Sequence, residues 1–425
     1  MLNKQEPYLI RNIATILSII LFIKIAGYFT ITDVKIVTQI FKIISRVGMT
    51  LTVFYILQLL KSYGCLNILQ LKNTLTLILY SLYLILGFAS FTWSTDPNYS
   101  ALQWFMTFES FVFVYIFFQV IYTINFFYPK RKINLINIFV KAIFPIIIIF
   151  IIGSIVLPDF FYREMRGGEE TRLGGWIMNP NELGMLSSIL GALSYLYFIR
   201  NKGAKKIFPI ISILASVVIL VLTSSRSSLI GFLLIIGLLI LKSDNKKLKI
   251  AMISIMAIVG PIAVSMIIFK DSGGIEEVMS MTGRLPFWTA LLNEGIVKEP
   301  FFGYGFMRIN YTDYFQGLNT YPGKMTHNTF MQVLMNLGFV GLFIAIFQVI
   351  FTIKNYFKNK KSDYANFFIA VIFPVMINSF TEFGIFGDAN YGILFWQFLI
   401  FLFLFEKRKH LTSLEKAWLK KFEAK

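Results

Sequence analysis

Residues 207–241 read IFPIISILASVVILVLTSSRSSLIGFLLIIGLLIL and indicate the fold class most clearly. It consists of two apolar runs, 207–223 and 227–241, with almost nothing between them except hydroxyl residues and Arg226. A membrane-spanning helix needs about 20 mostly apolar residues. The two runs therefore predict a pair of spanning helices joined by a very tight turn, although the second run is short for a span.

The composition of the whole chain points the same way. The 425 residues are 56% hydrophobic and only 15% charged, which a soluble domain of this length has too little interior to accommodate. The net charge of +18 would indicate nucleic-acid binding in a soluble protein, but in a membrane protein Lys and Arg in cytoplasmic loops account for it. The single Cys65 excludes an internal disulfide and a multi-cysteine metal site.

Apolar runs of spanning length recur along the chain and predict an all-α polytopic membrane protein with about 12 transmembrane helices. We expect one transmembrane domain over residues 1–425, with one large extracytoplasmic loop, 270–328, inserted between spans 9 and 10. Lys42 and Arg46 interrupt the second span, and no signal-peptide cleavage site follows the first. The predicted spans are 9–29, 38–60, 73–93, 101–123, 135–157, 177–199, 207–223, 227–241, 249–269, 329–353, 366–386 and 391–405.

Charge in the connections sets the orientation. Lys-rich connections alternate with Lys-poor ones, so the Lys-rich set and both termini are predicted to be cytoplasmic. The basic residues of the outer set are mostly Arg, although topology does not require Arg outside. Arg is the better residue for planar, bidentate recognition of phosphate, so this bias indicates an anionic ligand bound from the outer face. The predicted outer connections are 30–37, 94–100, 158–176, 224–225, 270–328 and 387–390.

Two Arg-containing motifs lie at predicted outer helix ends. In the first, Arg172 precedes Asn179-Pro180-Asn181-Glu182, where Asn179 is placed to cap a helix whose N-terminus would attract an anion. Asn181 is a candidate substrate ligand beside it. In the second, Arg226 stands among four serines at the membrane interface, where a charge must snorkel, pair or bind a ligand.

The large outer loop adds further candidates. Arg284 is followed by Trp288, whose ring suits a sugar face or a lipid boundary. The segment Pro300-x-x-Gly303-x-Gly305 is rich in turn residues and is predicted to present backbone N–H groups. The loop ends at His327-Asn328, where a neutral imidazole is able to accept a proton near pH 7 and Asn328 is placed to orient the ring.

A fifth cluster lies around the last predicted outer turn, where Glu382, near the end of the eleventh predicted span, precedes Asp388 and Asn390. This pattern slightly favours a polar turn over a functional site. The other interpretation is that the Glu382 carboxylate supports an Arg or binds a sugar hydroxyl, so we keep Glu382 as a candidate substrate ligand.

Taken in order, these motifs resemble the O-antigen ligase and O-antigen polymerase superfamily of multispanning glycosyltransferases. The resemblance covers roughly residues 170–345. It is carried by these segments: Arg172 with Asn179-Pro180-Asn181, Ser225-Arg226-Ser227, Thr282-Gly283-Arg284 with Phe287-Trp288, Pro300-x-x-Gly303-x-Gly305, His327-Asn328-x-Phe330, and Gly338-x-x-Gly341.

The resemblance implies an inverting, metal-independent enzyme, without a cofactor, at the periplasmic face of the bacterial inner membrane. Its donor would be a glycan on undecaprenyl diphosphate. The acceptor would be lipid A–core in a ligase or a second lipid-linked repeat unit in a polymerase. By position, His327 corresponds to the histidine that activates the acceptor hydroxyl. Arg172, Arg226 and Arg284 correspond to the arginines that hold the donor diphosphate.

Three alternatives remain open at this stage. Ligase is favoured over polymerase by a small margin, because one large outer loop ending in His327 dominates the outer face. A lipid-linked oligosaccharide flippase fits twelve spans, and Lys24 and Lys141 are its candidate intramembrane groups. A structural membrane protein would not need outer Arg clustered with a His. Within the enzyme, His327 is either the general base or a group that positions the acceptor.

Overall fold

The computed structural model describes residues 7–66, 68–165, 170–242, 246–247, 249–250, 253–254, 284–306, 309, 326–382 and 384–423. They form a helical bundle in which eight helices of the described part are long and apolar enough to cross a membrane. Three shorter apolar helices, Arg226–Leu241, Ala365–Thr381 and Tyr391–Phe401, accompany them. In chain order the helices are α1 (Tyr8–Ala26), α2 (Lys35–Ser62), α3 (Leu75–Ala89), α4 (Pro97–Phe127), α5 (Leu135–Val156), α6 (Pro158–Phe161), α7 (Pro180–Arg200), α8 (Ile207–Leu222), α9 (Arg226–Leu241), α10 (Arg284–Ala290), α11 (Thr329–Lys358), α12 (Ala365–Thr381), α13 (Tyr391–Phe401) and α14 (Ser413–Glu423).

The described residues also include two short antiparallel ribbons. One pairs β1 (Leu69–Leu71) with β4 (Phe405–Lys407), and the other is the hairpin of β2 (Tyr162–Met165) and β3 (Glu170–Leu173). The prediction of an all-α polytopic membrane protein is confirmed, because these ribbons are small additions to the bundle. The number of spans stays a prediction.

Every predicted span except the ninth coincides with a helix. The ninth, 249–269, lies almost wholly outside the described residues, as does much of the predicted 270–328 insertion. Asn side chains cap four of the helices by accepting backbone N–H groups of the first turn, which satisfies donors that a helix start leaves unpaired. The capping residues are Asn134, Asn179, Asn328 and Asn390.

The connections separate into two sets at opposite ends of the bundle. At one end, Thr30 N–H bonds to Ile177 O, and Thr95 N–H bonds to Tyr304 O. These contacts join connections that the sequence assigned to the outer set. At the other end, β1 pairs with β4 near the Lys-rich connections. We call the first end the His327 end. These contacts of the described connections fit the predicted alternation, and the membrane face to which each end belongs stays a prediction.

The last two apolar helices are shorter than hydropathy predicts. α12 ends at Thr381, not at residue 386, and α13 ends at Phe401, not at residue 405. Ile385 and Phe386 are fully buried without being helical, so apolar loop residues in the core extended the predicted span. Glu382 therefore lies beyond the end of α12, in the turn at the His327 end.

A buried ion cluster joins α1, α2 and α4. The ammonium of Lys24 contacts the Glu109 carboxylate and donates to Arg46 O at 3.2 Å. Arg46 lies 3.7 Å from the same carboxylate, and all three side chains are almost completely buried. Arg46 therefore does not end the second span, because a carboxylate balances its charge inside the bundle. Lys141, the other candidate intramembrane cation, is exposed.

Candidate active site

Glu382 is the centre of the polar cluster at the His327 end. Its carboxylate is almost completely buried. Oε2 lies 2.7 Å from Nδ1 of His327, and Oε1 accepts from Nδ2 of Asn181 at 2.7 Å and from Nη2 of Arg284 at 3.2 Å. One side chain thus connects three of the candidate residues, which come from α7, the start of α10 and the entrance of α11.

His327 has a backbone conformation that residues other than glycine rarely adopt. Its φ angle is +49°, in the left-handed region. Strain of this kind persists where the surrounding structure fixes it, and such positions cluster at functional sites. With Nδ1 donating to Glu382, the lone pair of the neutral ring is on Nε2. The imidazole is about one-fifth exposed, which keeps the ring accessible at the edge of the cluster.

Arg284 opens α10 and is held from two sides. Its Nη1 donates to Thr381 O at 2.7 Å, and its Nη2 donates to the Glu382 carboxylate. Among the residues that the structure describes, its buried Nε has no hydrogen-bond acceptor. A guanidinium fixed in this way presents donor capacity in a preset orientation.

Arg172, on β3, connects the hairpin to two helices. Its Nε donates to Thr223 O at 2.8 Å, and its Nη2 donates to Asn181 Oδ1 at 2.8 Å. Asn181 also donates to Glu382, so Arg172 is linked to His327 through two side chains. The structure therefore brings Arg172 beside the capped start of α7.

Arg226 is the first residue of α9. It directly follows the turn that contains Thr223, the residue whose carbonyl accepts from Arg172. The turn is tied to α7, because Ser228 Oγ donates to Asn181 O at 3.1 Å. Gly184 makes this approach close: a Cβ on it would lie 2.6 Å from Ser228 Oγ. The structure thus brings the Arg226 backbone next to the cluster.

Three of the sequence candidates have positioning contacts. Asn179 caps α7 by accepting from Asn181 N–H, as predicted. The indole of Trp288 donates to Thr326 O at 2.7 Å and ties α10 to the residue before His327. Asn328 caps α11, and the contact to the His327 ring comes from Glu382 instead.

The segment Pro300-x-x-Gly303-x-Gly305 serves a different purpose from the predicted one. Its Tyr304 and Gly305 N–H groups donate to Met335 O and Asn336 O, at a break in α11 where Gly338 has φ +63°. These N–H groups are thus bonded to α11 and are not presented to a ligand. The 300–305 segment and α11 pass so close to each other that glycine is needed at the contact. A Cβ at Gly338 would lie 2.2 Å from the Phe301 backbone.

Charge balance in the cluster depends on Glu382. Burial by itself raises the pKa of this carboxyl, but the charges of His327 and Arg284 and the hydrogen bonds from His327 and Asn181 outweigh burial and hold the pKa below its usual value. Glu382 therefore remains a carboxylate at neutral pH. The Glu382 carboxylate contacts Arg284, as the alternative to a simple polar turn expected, whereas Asn390 caps α13.

Comparison with known proteins supports the resemblance. No curated protein sequence matches the chain. Residues 210–346 match the family model described as O-antigen ligase, a region that contains Arg226, Arg284 and His327 but neither Arg172 nor Glu382. Over residues 210–346 the chain is therefore similar to the O-antigen ligase family, which supports the resemblance to that superfamily.

Proposed function

We propose that the protein is an inverting, metal-independent glycosyltransferase that moves a glycan from undecaprenyl diphosphate to an acceptor, with lipid A–core as acceptor in an O-antigen ligase. The family match supports O-antigen ligase- or polymerase-type activity in general. The observation that carries the finer proposal is the Glu382 carboxylate, which links His327, Arg284 and Asn181 in one buried cluster. We place this cluster at the periplasmic face of the inner membrane, with both termini in the cytoplasm.

The proposed leaving group explains the arginines. When the glycan departs, negative charge grows on the diphosphate oxygen that had bonded to the sugar. In this proposal Arg172, Arg226 and Arg284 stabilise this charge, and groups fixed beforehand do so without reorganising during the reaction. The contacts of Arg172 with Thr223 O and of Arg284 with Thr381 O provide that fixation.

In the proposed reaction His327 is the general base and Glu382 supports it. An acceptor hydroxyl attacks the anomeric carbon from the face opposite the diphosphate, the new C–O bond forms as the old one breaks, and the hydroxyl proton passes to Nε2 of His327. Glu382 accepts from Nδ1, which fixes the tautomer and stabilises the imidazolium that results. A single displacement of this kind inverts the anomeric configuration.

A metal-free mechanism fits the donor set of the cluster. In the proposal the arginines supply the positive charge that a phosphate-bound Mg²⁺ would otherwise bring, and a divalent cation prefers carboxylate and carbonyl oxygens. Turnover should survive EDTA. Complete loss in EDTA that a divalent ion restores would contradict this part of the proposal.

Product analysis tests the function. Purified protein is incubated with an undecaprenyl-diphosphate glycan and either lipid A–core or a second lipid-linked unit. A single capped product identifies a ligase, and a ladder identifies a polymerase, the closest alternative. No glycan transfer with either acceptor, from protein that remains folded, would refute the glycosyltransferase proposal.

The alternative function that is not enzymatic is that of a flippase, because the Lys24–Glu109–Arg46 cluster is ionisable and buried within the bundle. Ionisable groups inside membranes often serve transport. In this cluster, however, the charges are packed against one another between three helices, and the candidate ligand-binding groups collect at one end. Ion-driven uptake of a lipid-linked glycan by sealed vesicles would favour the flippase.

A further inference from the structure

A cavity of about 690 Å³ lies beside the β2–β3 hairpin, at the His327 end but outside the Glu382 cluster. Its size falls within the range of about 300–1,000 Å³ that is typical of small-molecule sites. We call it the hairpin cavity. The side chains that matter here are Asp159, Tyr162, Arg163, Glu164 and Trp176.

Two aromatic rings and two carboxylates line this cavity. The indole of Trp176 is 58% exposed, and the Arg163 guanidinium lies 5.3 Å from the centre of its ring. An exposed aromatic face packs against the C–H face of a sugar ring, while carboxylates such as those of Asp159 and Glu164 accept hydrogen bonds from hydroxyl groups. This combination suits a polyhydroxylated ring.

The charge of the cavity separates it from the arginine-rich cluster. Asp159 and Glu164 bring two negative charges against the single positive charge of Arg163. A second phosphate would be repelled there, since like charges in a partly enclosed site raise the free energy of binding. The lining therefore favours an uncharged part of a substrate.

The hairpin places the cavity next to the proposed diphosphate site. Arg163 on β2 and Arg172 on β3 are cross-strand partners, so their Cβ atoms are about 4.5–5.5 Å apart on one face of the ribbon. Gly175, with φ +58°, packs directly on Phe160, because a Cβ there would lie 2.2 Å from Phe160 O. This contact fixes α6 and the hairpin against the start of α7.

We infer that the hairpin cavity binds sugar rings of the transferred or receiving glycan, with Trp176 and Tyr162 stacking on the rings and Asp159 and Glu164 accepting hydroxyl hydrogen bonds. The inference rests on the proposed function, since it assigns the glycan portion of a substrate whose diphosphate would be held by Arg172.

Binding of three probes tests the inference. Full-length protein is placed in nanodiscs of phosphatidylethanolamine and phosphatidylglycerol. The probes are undecaprenyl diphosphate without a glycan, the lipid-linked glycan fraction extracted from cells, and lipid A–core. Trp176→Ala should raise the Kd of one glycan-bearing probe about tenfold and leave the Kd of bare undecaprenyl diphosphate within twofold. The probe affected shows whether the donor or the acceptor glycan occupies the cavity.

Matched variants make the result specific. Trp176→Phe retains a ring and should recover part of the affinity, and the double variant Asp159→Asn with Glu164→Gln should again weaken the glycan-bearing probe. Phe301→Ala removes another exposed aromatic ring of the His327 end, outside the cavity, and should change no Kd.

Two results would overturn the inference. One is an unchanged Kd for both glycan-bearing probes in Trp176→Ala. The other is an equal loss for bare undecaprenyl diphosphate, which would make Trp176 a lipid-headgroup anchor. The proposed function fails by a separate result, namely that Arg172→Ala leaves the affinity for bare undecaprenyl diphosphate unchanged.

Discussion

His327 and Glu382 are 55 positions apart in the chain, and their side chains meet at 2.7 Å between Nδ1 and Oε2. The contact joins the entrance of α11 to the turn after α12. Since Glu382 also holds Arg284 and Asn181, the base and the anion-binding groups share one buried carboxylate. A substitution of His327 therefore affects the proposed base, whereas a substitution of Glu382 affects both the base and the anion-binding groups.

Replacement of His327 tests the base. His327→Ala should lower kcat by about 10²–10⁴-fold, which is the usual contribution of general acid–base catalysis. If the imidazole only positions the acceptor, the acceptor KM rises and kcat changes little. Steady-state kinetics with varied acceptor separates the two roles. His410→Ala, which removes the other histidine near the opposite end, is the control and should behave as wild type. Wild-type turnover in His327→Ala would remove the residue from the mechanism.

Replacement of Glu382 tests positioning. Glu382→Gln keeps the size of the side chain but no longer neutralises an imidazolium. We expect kcat to fall at least tenfold and up to about 10⁴-fold, the loss seen when the orienting carboxylate of a catalytic triad becomes an amide. Glu299→Gln changes an exposed carboxylate in the 284–306 segment and should leave kcat unaltered. Equal kinetics in the two variants would mean that Glu382 serves only to hold the fold.

Arg172→Lys tests the geometry of the proposed diphosphate site. Lys keeps the charge but loses the planar fork that bonds Thr223 O and Asn181 Oδ1 together. The donor KM should rise about tenfold, because the turn before Arg226 and the amide of Asn181 lose a common partner. Arg200→Lys, at the opposite end of the bundle, should leave the donor KM unchanged. A donor KM in Arg172→Lys equal to that of wild type would show that charge alone suffices.

Much of the fold was predictable from the sequence, because spanning helices follow from hydropathy and loop charge. Arg172, Arg284 and His327 were also predictable, since Arg and His at helix ends carry a local signal. The place of Glu382 was not, because apolar residues 384–386 made the preceding helix look longer than it is. The partners of Glu382 come from distant segments. No local sequence pattern predicts its contact with Asn181, which is 201 positions away.

The glycines of the 300–305 segment show a second limit of prediction from the sequence. Sequence patterns identify a tight turn but do not show what approaches it. Here the backbone of α11 is what approaches, through the break at Gly338. The aromatic and acidic lining of the hairpin cavity was missed for the same reason, since Asp159 and Trp176 are 17 positions apart and become neighbours only when the hairpin folds.

The pKa of Glu382 predicts a pH dependence of stability. Because its pKa is lowered in the folded protein, the carboxylate stabilises the fold fully above its ordinary pKa of 4.5. That stabilisation is lost as the pH falls from 4.5 through the lower value of the folded state. Glu382→Gln should therefore lower Tm at pH 7, and the Tm difference from wild type should shrink below pH 4.5. A difference that stays constant down to pH 3 would contradict the proposed charge interactions.

The buried cluster of Lys24, Arg46 and Glu109 predicts an asymmetry between two variants. Lys24→Met leaves Arg46 and Glu109 as a neutral pair, whereas Glu109→Leu leaves two buried cations without a counter-ion. Breaking a buried ion pair typically costs about 3–5 kcal/mol, so Glu109→Leu should greatly reduce thermal stability and Lys24→Met should reduce it much less. Asp363→Asn, which removes an exposed ion pair with Lys132, is the control and should have little effect on Tm. Thermal unfolding in detergent measures all three. If Lys24→Met destabilised the protein as strongly as Glu109→Leu, the ammonium would have a role beyond charge balance, and the flippase alternative would gain support.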